Sequence, residues 1–346
     1  MAIGVWGKGR ELAMLATQNS FTFGRAATCD LSLPDEKHLA TVHIQFDRIL
    51  NSAHASLRGA DVSSGKNDVV VMGEVAEKEW VMGAGDWFNV GDTKYFALNE
   101  EMRHGRHRVM EILGIRQYEA VDDLLIAAVR DSTRHVLFVG EPGSDQDRLA
   151  RVVHQCSHRR HNQYQALEGP KLDAKAQKKI ADAKDGTLLV PMHEKGKLDT
   201  RLVAALVDPR ASLRLVLCAK SQDKAGASFP QTFINDAKKI SIPPLRKRVD
   251  DIPELLDQWL VGRRSVVRFA ALRPEVREAI RAYTWPENIE ELRETADILA
   301  ELAHVQSARQ ATTEQLTRGK VRGWMKKLGI KLKFPIVSDK AESQAR

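Results

Sequence analysis

The residues best suited to chemistry lie in one short run. Gly140-Glu141-Pro142-Gly143-Ser144-Asp145-Gln146-Asp147 follows the apolar stretch His135-Val136-Leu137-Phe138-Val139. It precedes Leu149, Val152 and Val153 at helical spacing. Strand, glycine turn and helix are the layout of a phosphate cradle, in which backbone N–H groups and a helix N-terminus face the anion. A second group is His154, Cys156, His158 and His161. Imidazole and thiolate bind metals, but a structural site takes four converging ligands with outer support, so no metal is expected here. The third group is Arg318, Lys320, Arg322, Lys326, Lys327, Lys331 and Lys333, without an acid between them. Val321, Trp324, Met325 and Leu328 interleave with them at helical spacing. Such a segment suits DNA phosphates, an anionic surface or a partner helix, and equally a helix packed on the body with a solvated basic face.

The elements that must position these groups change character along the chain. Up to residue 99, short strand-like runs dominate: Phe21 to Phe23, Leu31 to Leu33, His43 to Phe46, Val69 to Val71, Trp87 to Val90 and Tyr95 to Leu98. Turn signals separate them, such as Pro34-Asp35, Asn67-Asp68, Gly85-Asp86 and Gly91-Asp92. This spacing predicts a β-sandwich or barrel. Residues 100–108 have almost no apolar content and read as a linker. From there on, apolar strands such as Thr187 to Val190 and Leu213 to Leu217 alternate with helical stripes, which predicts an α/β unit with a parallel sheet.

Within the first region, Gly24-Arg25, Asp30-Leu31-Ser32-Leu33, His43-Ile44, Asn67-Asp68 with Gly73, and Gly85-Asp86-Trp87-Phe88-Asn89-Val90-Gly91 resemble the forkhead-associated (FHA) family over about 20–98. The resemblance implies a β-sandwich that binds phosphothreonine peptides through loops at one end. It assigns phosphate contact to Arg25, peptide-backbone contact to Asn67 and an internal structural role to His43. The family's Ser-Arg-x-His is Ala40-Thr41-Val42-His43 here, so one hydroxyl and one arginine are missing, and Thr41 offers a hydroxyl one position along.

In the second region, Asp185-Gly186-Thr187-Leu188-Leu189, the string Ile242-Pro243-Pro244-Leu245-Arg246-Lys247-Arg248-Val249-Asp250-Asp251-Ile252-Pro253, and Tyr283-Thr284-Trp285-Pro286-Glu287-Asn288-Ile289-Glu290-Glu291-Leu292-Arg293 carry another resemblance. With the Gly140 loop they resemble the AAA+ domain of sigma-54-dependent transcriptional activators over about 108–305. That family implies an ATPase, yet its chemical groups are absent position by position. Its loop is G-E-x-G-T-G-K-E; Asp145 replaces the late glycine and Gln146 the lysine. One unit charge at ~4 Å is worth ~4 kcal/mol at an effective dielectric of 20, so phosphate binding is expected to be weaker by decades. Pro191 and Met192 stand in the place of the Walker B acids, and His193 and Glu194 come two residues too late. Cys218-Ala219-Lys220 lacks the sensor, Ser228 to Ile234 lacks an arginine finger, and Glu287 and Glu290 replace the glycine and the sensor arginine of the third string. The long loop with GAFTGA is absent between Ala166 and Ala183, so direct action on sigma-54 polymerase is not expected.

The chain has 346 residues and a formal net charge of +7, which favours acidic partners without naming one. No apolar stretch approaches a membrane span, the first residues lack a secretory leader, and Cys29, Cys156 and Cys218 lie far apart. A cytoplasmic bacterial protein with reduced thiols and no membrane contact is expected. The expected organisation is an FHA-like all-β sandwich at 1–99, a linker at 100–108, a degenerate AAA+ (P-loop NTPase) α/β subdomain at 109–245, a helical lid at 246–317 and a basic tail at 318–346. The expected function is non-catalytic signalling or transcription regulation through a protein partner, either Thr-phosphorylated or bound by a sandwich kept for protein contacts in which Arg25 is an ordinary surface arginine, without a cofactor, as a homo- or hetero-oligomer with AAA+ relatives. The alternatives are a DNA-binding regulator acting through the tail and a weak ATPase.

Overall fold

The computed structural model describes residues 2–6, 13–15, 19–50, 55–64, 67–113, 119–192, 197–265, 267–307, 323, 326 and 327. The N-terminal unit comprises strands β1 (Ala2–Trp6), β2 (Ala13–Leu15), β3 (Ser20–Gly24), β4 (Leu31–Ser32), β5 (Ile44–Leu50), β6 (Ala55–Asp61), β7 (Val69–Val71), β8 (Glu74–Val75), β9 (Glu79–Met82), β10 (Trp87–Val90) and β11 (Thr93–Leu98). Among the described residues these form two sheets, in the orders β2-β1-β11-β10-β7-β8 and β4-β3-β5-β6-β9. Pairing is antiparallel apart from β3 with β4. The period-2 alternation sends Phe21, Phe23, Phe46, Phe88 and Tyr95 between the sheets. Their rings meet edge-on or offset, with Phe23 4.9 Å from Tyr95 and Phe21 5.2 Å from Phe46. This is the β-sandwich that the strand spacing predicts.

Residues 100–108 differ from the expected linker. They form the first turns of helix α1 (Glu100–Leu113). The Asn99 side chain accepts from the Met102 amide at 2.8 Å and caps it, with Glu100 and Glu101 in the first turn, where the helix dipole favours acids. Gly105 lets α1 approach the next unit closely: a Cβ there would lie 2.5 Å from Cys156 Sγ. Few apolar residues suffice because Met102, Val109, Ile112 and Leu113 all face one side and are buried.

The second unit contains α2 (Glu119–Val129), β12 (Val136–Val139), α3 (Gln146–Cys156), β13 (Tyr164–Ala166), α4 (Ala174–Asp182), β14 (Thr187–Pro191), α5 (Thr200–Leu206), β15 (Arg214–Ala219), α6 (Gln222–Gly226), α7 (Gln231–Asp236) and β16 (Lys238–Ser241). The strands form a parallel sheet in the order β13-β14-β15-β12-β16. Buried Arg214 on β15 donates to the carbonyls of Ala127, Asp131 and Arg134, tying the C-terminal turn of α2 to the sheet. Burial pushes its guanidinium down to about 10. The lid follows as α8 (Ile252–Gly262), α9 (Pro274–Ala282) and α10 (Asn288–Ser307), around a core of Leu245, Ile252, Leu256, Val276, Trp285 and Leu292. Among the described residues, no helix is long and apolar enough to cross a membrane.

Sandwich and α/β unit touch directly. Arg130, just after α2, pairs with Asp86 at 3.1 Å. Phe96 and Leu98 of β11 share a core cluster with Val109 of α1 and Leu124 of α2.

Candidate functional site

The Gly140 loop leaves the end of β12 and enters α3, as the strand–turn–helix pattern requires. Its shape is held internally: Ser144 Oγ donates to Glu141 O at 2.7 Å, and Ser144 is buried. Gly143 has φ +74°, a region open to glycine. Asp145 sits at the N-cap of α3 with φ 56°, a left-handed conformation that aspartate tolerates.

Glu141, Ser144, Asp145 and Gln146 of this loop are turned to protein partners. Gln146, at the lysine position, donates from Nε2 to Gly140 O at 2.9 Å and folds back onto the loop. The Asp145 carboxylate forms an ion pair with Arg293 of α10 and a second with Arg148 at 3.2 Å. Asp147 stays on the exposed face of α3. Glu141 receives both guanidinium nitrogens of Arg246, at 2.5 and 2.6 Å, and Arg246 holds its carboxyl below the usual range. Asn288 Nδ2 donates to Pro142 O at 2.9 Å, while Asn288 Oδ1 accepts from the Leu245 amide at 2.9 Å. The Glu290 amide donates to Gly143 O at 3.2 Å. The two long sequence strings thus meet each other and the loop. A Cβ on Gly143 would lie 1.9 Å from Glu287 O, so the lid backbone rests against the loop itself.

Across the sheet, the strand ends hold no acid among the described residues. Pro191 closes β14 opposite Cys218, and the Met192 amide donates to Cys218 O at 2.8 Å. Burial raises the Cys218 thiol above its ordinary range. His193 and Glu194 lie outside the described residues. The segment Ser228 to Ile234 turns Phe229 and Ile234 into the core. His154 and Cys156 share α3 but face different partners: His154 Nδ1 meets the Thr187 hydroxyl at 3.0 Å, and the Cys156 thiol donates to Glu101 O at 3.5 Å. All three cysteines are free and buried.

In the sandwich, Arg25, Thr41 and Asn67 come together on neighbouring loops. The Arg25 amide donates to Ala40 O and the Ala26 amide to Thr41 O, both at 2.9 Å. His43 is fully buried and joins the loops: the Ala40 amide donates to its Nδ1 at 2.9 Å, so the proton is on Nε2, which donates to Asn67 O at 3.2 Å. Asn67 Nδ2 donates to His38 O at 2.6 Å. Arg25 and Thr41 are exposed and Asn67 half-buried. Of the tail, Lys326 and Lys327 are described and exposed. Lys327 forms an ion pair with Glu291, which also accepts from Tyr283 Oη at 2.9 Å, and this contact raises the Lys327 ammonium above its ordinary range. Arg318, Lys320, Arg322, Lys331 and Lys333 lie outside the described residues.

Sequence reasoning did not single out Arg293 or the Glu141–Arg246 pair. One signal was there. An acid enters the loop at 145 while a cation stands one helical turn beyond Glu290, at spacing i+3.

No family model matches the chain. The C4-dicarboxylate transport transcriptional regulatory protein DctD of Rhizobium meliloti is 29% identical, covering 50% of this chain and 46% of that protein. The alginate biosynthesis transcriptional regulatory protein AlgB of Pseudomonas aeruginosa is 27% identical, covering 49% and 48%. The C-terminal half is homologous to sigma-54-dependent transcriptional regulators. A third relative, the putative uric acid sigma-54-dependent transcriptional regulator UacR of Escherichia coli, is 27% identical over 49% of this chain and 35% of its own. The match spans about half or less of these relatives' length. Among solved structures, NtrX from Brucella abortus in complex with ADP superposes with a TM-score of 0.44 at 15% identity, covering 58% of this chain and 55% of its own. The FHA domain of the CT664 protein from Chlamydia trachomatis covers 28% of this chain and 95% of its own, with a TM-score of 0.24 at 19% identity.

Proposed function

We propose that this chain is a non-catalytic regulatory protein. Its FHA-like sandwich recognises a Thr-phosphorylated protein partner through Arg25, Thr41 and Asn67. Its sigma-54-regulator-type AAA+ body is a scaffold that neither binds nor hydrolyses ATP. The observation that carries this reading is the state of the Gly140 loop: both side chains where a phosphate loop needs room and a cation, Asp145 and Gln146, are engaged with the protein's own groups. Phosphoryl transfer rests almost wholly on positioning and on positive charge around the phosphates. Here the lysine is a neutral amide, the glycine is an anion, and Pro191 and Met192 cannot hold Mg²⁺.

The sandwich supports the recognition half. Arg25 offers a guanidinium, which makes strong charge-assisted bonds to phosphate, on loops that His43 holds in register. Similarity to transcriptional regulatory proteins supports a regulatory role for the body, and an inert protomer placed among intact relatives would interrupt an ATP cycle.

The test uses the full chain and its Arg25→Ala variant against a phosphothreonine peptide library, beside an assay of phosphate release from ATP–Mg²⁺. The reading expects selected phosphopeptides to bind wild type and to bind Arg25→Ala about ten- to a hundredfold more weakly, with no phosphate release from either protein. Turnover of ATP would refute the scaffold half; peptide binding indifferent to the phosphate would refute the recognition half.

A further inference from the structure

The lid touches the phosphate loop through an unusually complete set of groups. Glu141 takes the Arg246 fork, Asn288 bridges Pro142 and Leu245, the Glu290 amide reaches Gly143, and the Glu287 carbonyl packs where a Cβ of residue 143 would be. At the centre is a charge pair across the joint: Asp145 on the body, whose carboxylate is 9% exposed, and Arg293 on α10, at 28%. Arg148 adds a second cation at 3.2 Å. The Asp145 carboxylate makes no cap hydrogen bond to α3. It is therefore committed to Arg293 of the lid and to the Arg148 side chain one turn into α3, not to the backbone N–H groups of that helix.

A phosphate at a helix N-terminus would supply negative charge to cations converging from body and lid, and so glue the two together. In this protein the anion is covalent. We propose that the Asp145 carboxylate replaces a bound phosphate as the counter-ion of Arg293, latching the lid onto the α/β body so that their joint keeps one geometry with no nucleotide present. The latch rests on the nucleotide-free reading of the loop and goes beyond it. It gives the lost glycine and lost lysine a replacement function: a joint insensitive to the ATP level. Arg293 neutralises an acid that would otherwise add to the negative charge of Glu141 and Asp147 on the same loop.

Amide hydrogen–deuterium exchange of the full chain tests this, following segments 140–147 and 287–293 in wild type, Asp145→Asn, Arg293→Gln and Arg293→Lys, each with and without ATP–Mg²⁺. Asparagine keeps the tolerance of positive φ at 145. Asp145→Asn and Arg293→Gln are each expected to accelerate exchange about tenfold in both segments, including the unaltered one. Arg293→Lys should restore most protection, and strands of the sandwich should be unaffected. Acceleration confined to the altered segment, or absent, overturns the latch. If Asp145→Asn unfolds the body, the comparison of Arg293→Lys with Arg293→Gln decides: equal exchange in the two overturns the latch. The ATP arm reads the underlying assumption separately. Protection of the wild-type loop by ATP–Mg²⁺ would defeat the nucleotide-free reading, whereas unresponsive variants without an ATP effect would defeat the latch alone.

Discussion

Arg246 grips Glu141 with both terminal guanidinium nitrogens, at 2.5 and 2.6 Å, joining the start of the lid to the phosphate loop. Side-chain hydrogen bonding from Arg246 is the main reason that the Glu141 carboxyl is held below its ordinary 4.5. A carboxylate with a depressed value stabilises the folded state above its unfolded value, and that contribution is lost as the pH falls through the folded one. Urea unfolding of the body should therefore shift to lower urea as the pH drops below 4.5, and Glu141→Gln should flatten this dependence. An unchanged acid slope in Glu141→Gln would remove this pair from the account.

His135 gives a second pH signature, in a higher window. Its Nδ1 accepts from the Leu215 amide at 3.0 Å, and its ring stacks on Phe233. Burial pushes its value from 6.5 down to about 4. The unfolded chain binds the proton more readily, so stability is full above 6.5 and falls as the pH drops from 6.5 to about 4. The loss amounts to roughly 3 kcal/mol at its limit. Replacing His135 by Gln should reduce the slope between these values; denaturation midpoints at pH 7 and 5 measure it.

Gly143→Ala should prise the lid from the loop. The new methyl would meet Glu287 O at 1.9 Å, and the residue would hold φ +74°. Strain of this kind costs about 1–3 kcal/mol, and the clash adds to it. A fall of several degrees in the melting temperature of the body is expected, with the sandwich transition unmoved.

If the sandwich recognises phosphopeptides as proposed, Arg25→Ala removes one charge-assisted bond to the phosphate. Its loss should weaken phosphopeptide binding by about 1.5–3 kcal/mol, that is, ten- to a hundredfold. Arg25 is exposed and the loop is held by backbone contacts to Ala40, so the melting temperature should hold. Titration calorimetry with a selected peptide measures the first, scanning calorimetry the second.

Much of the architecture was legible because it is written in local periodicity. The alternation of Phe21 with Phe23, and the spacing of Gly85-Asp86 and Gly91-Asp92, predict sandwich strands where β3, β10 and β11 stand. The apolar runs at 135–139, 187–190 and 213–217 became three parallel neighbours in the sheet. What was not legible depends on distance along the chain. The helix at Glu100–Leu113 was hidden because only one narrow face is apolar, and its burial partner, Cys156, lies 51 residues after Gly105. The Asp145–Arg293 pair joins residues 148 positions apart. A missing lysine can be read from a motif; the group that replaces its partner cannot.

The central claim is that the Gly140 loop serves the protein's own joint and no nucleotide. Calorimetric titration of the full chain with ATP–Mg²⁺ tests it most directly, beside the Asp145→Gly/Gln146→Lys double variant that restores the phosphate-loop residues. The account predicts no binding heat for wild type, and no hydrolysis by either protein, since Pro191 and Met192 still lack the metal-holding acids. Micromolar ATP binding with turnover in the wild-type chain would contradict it.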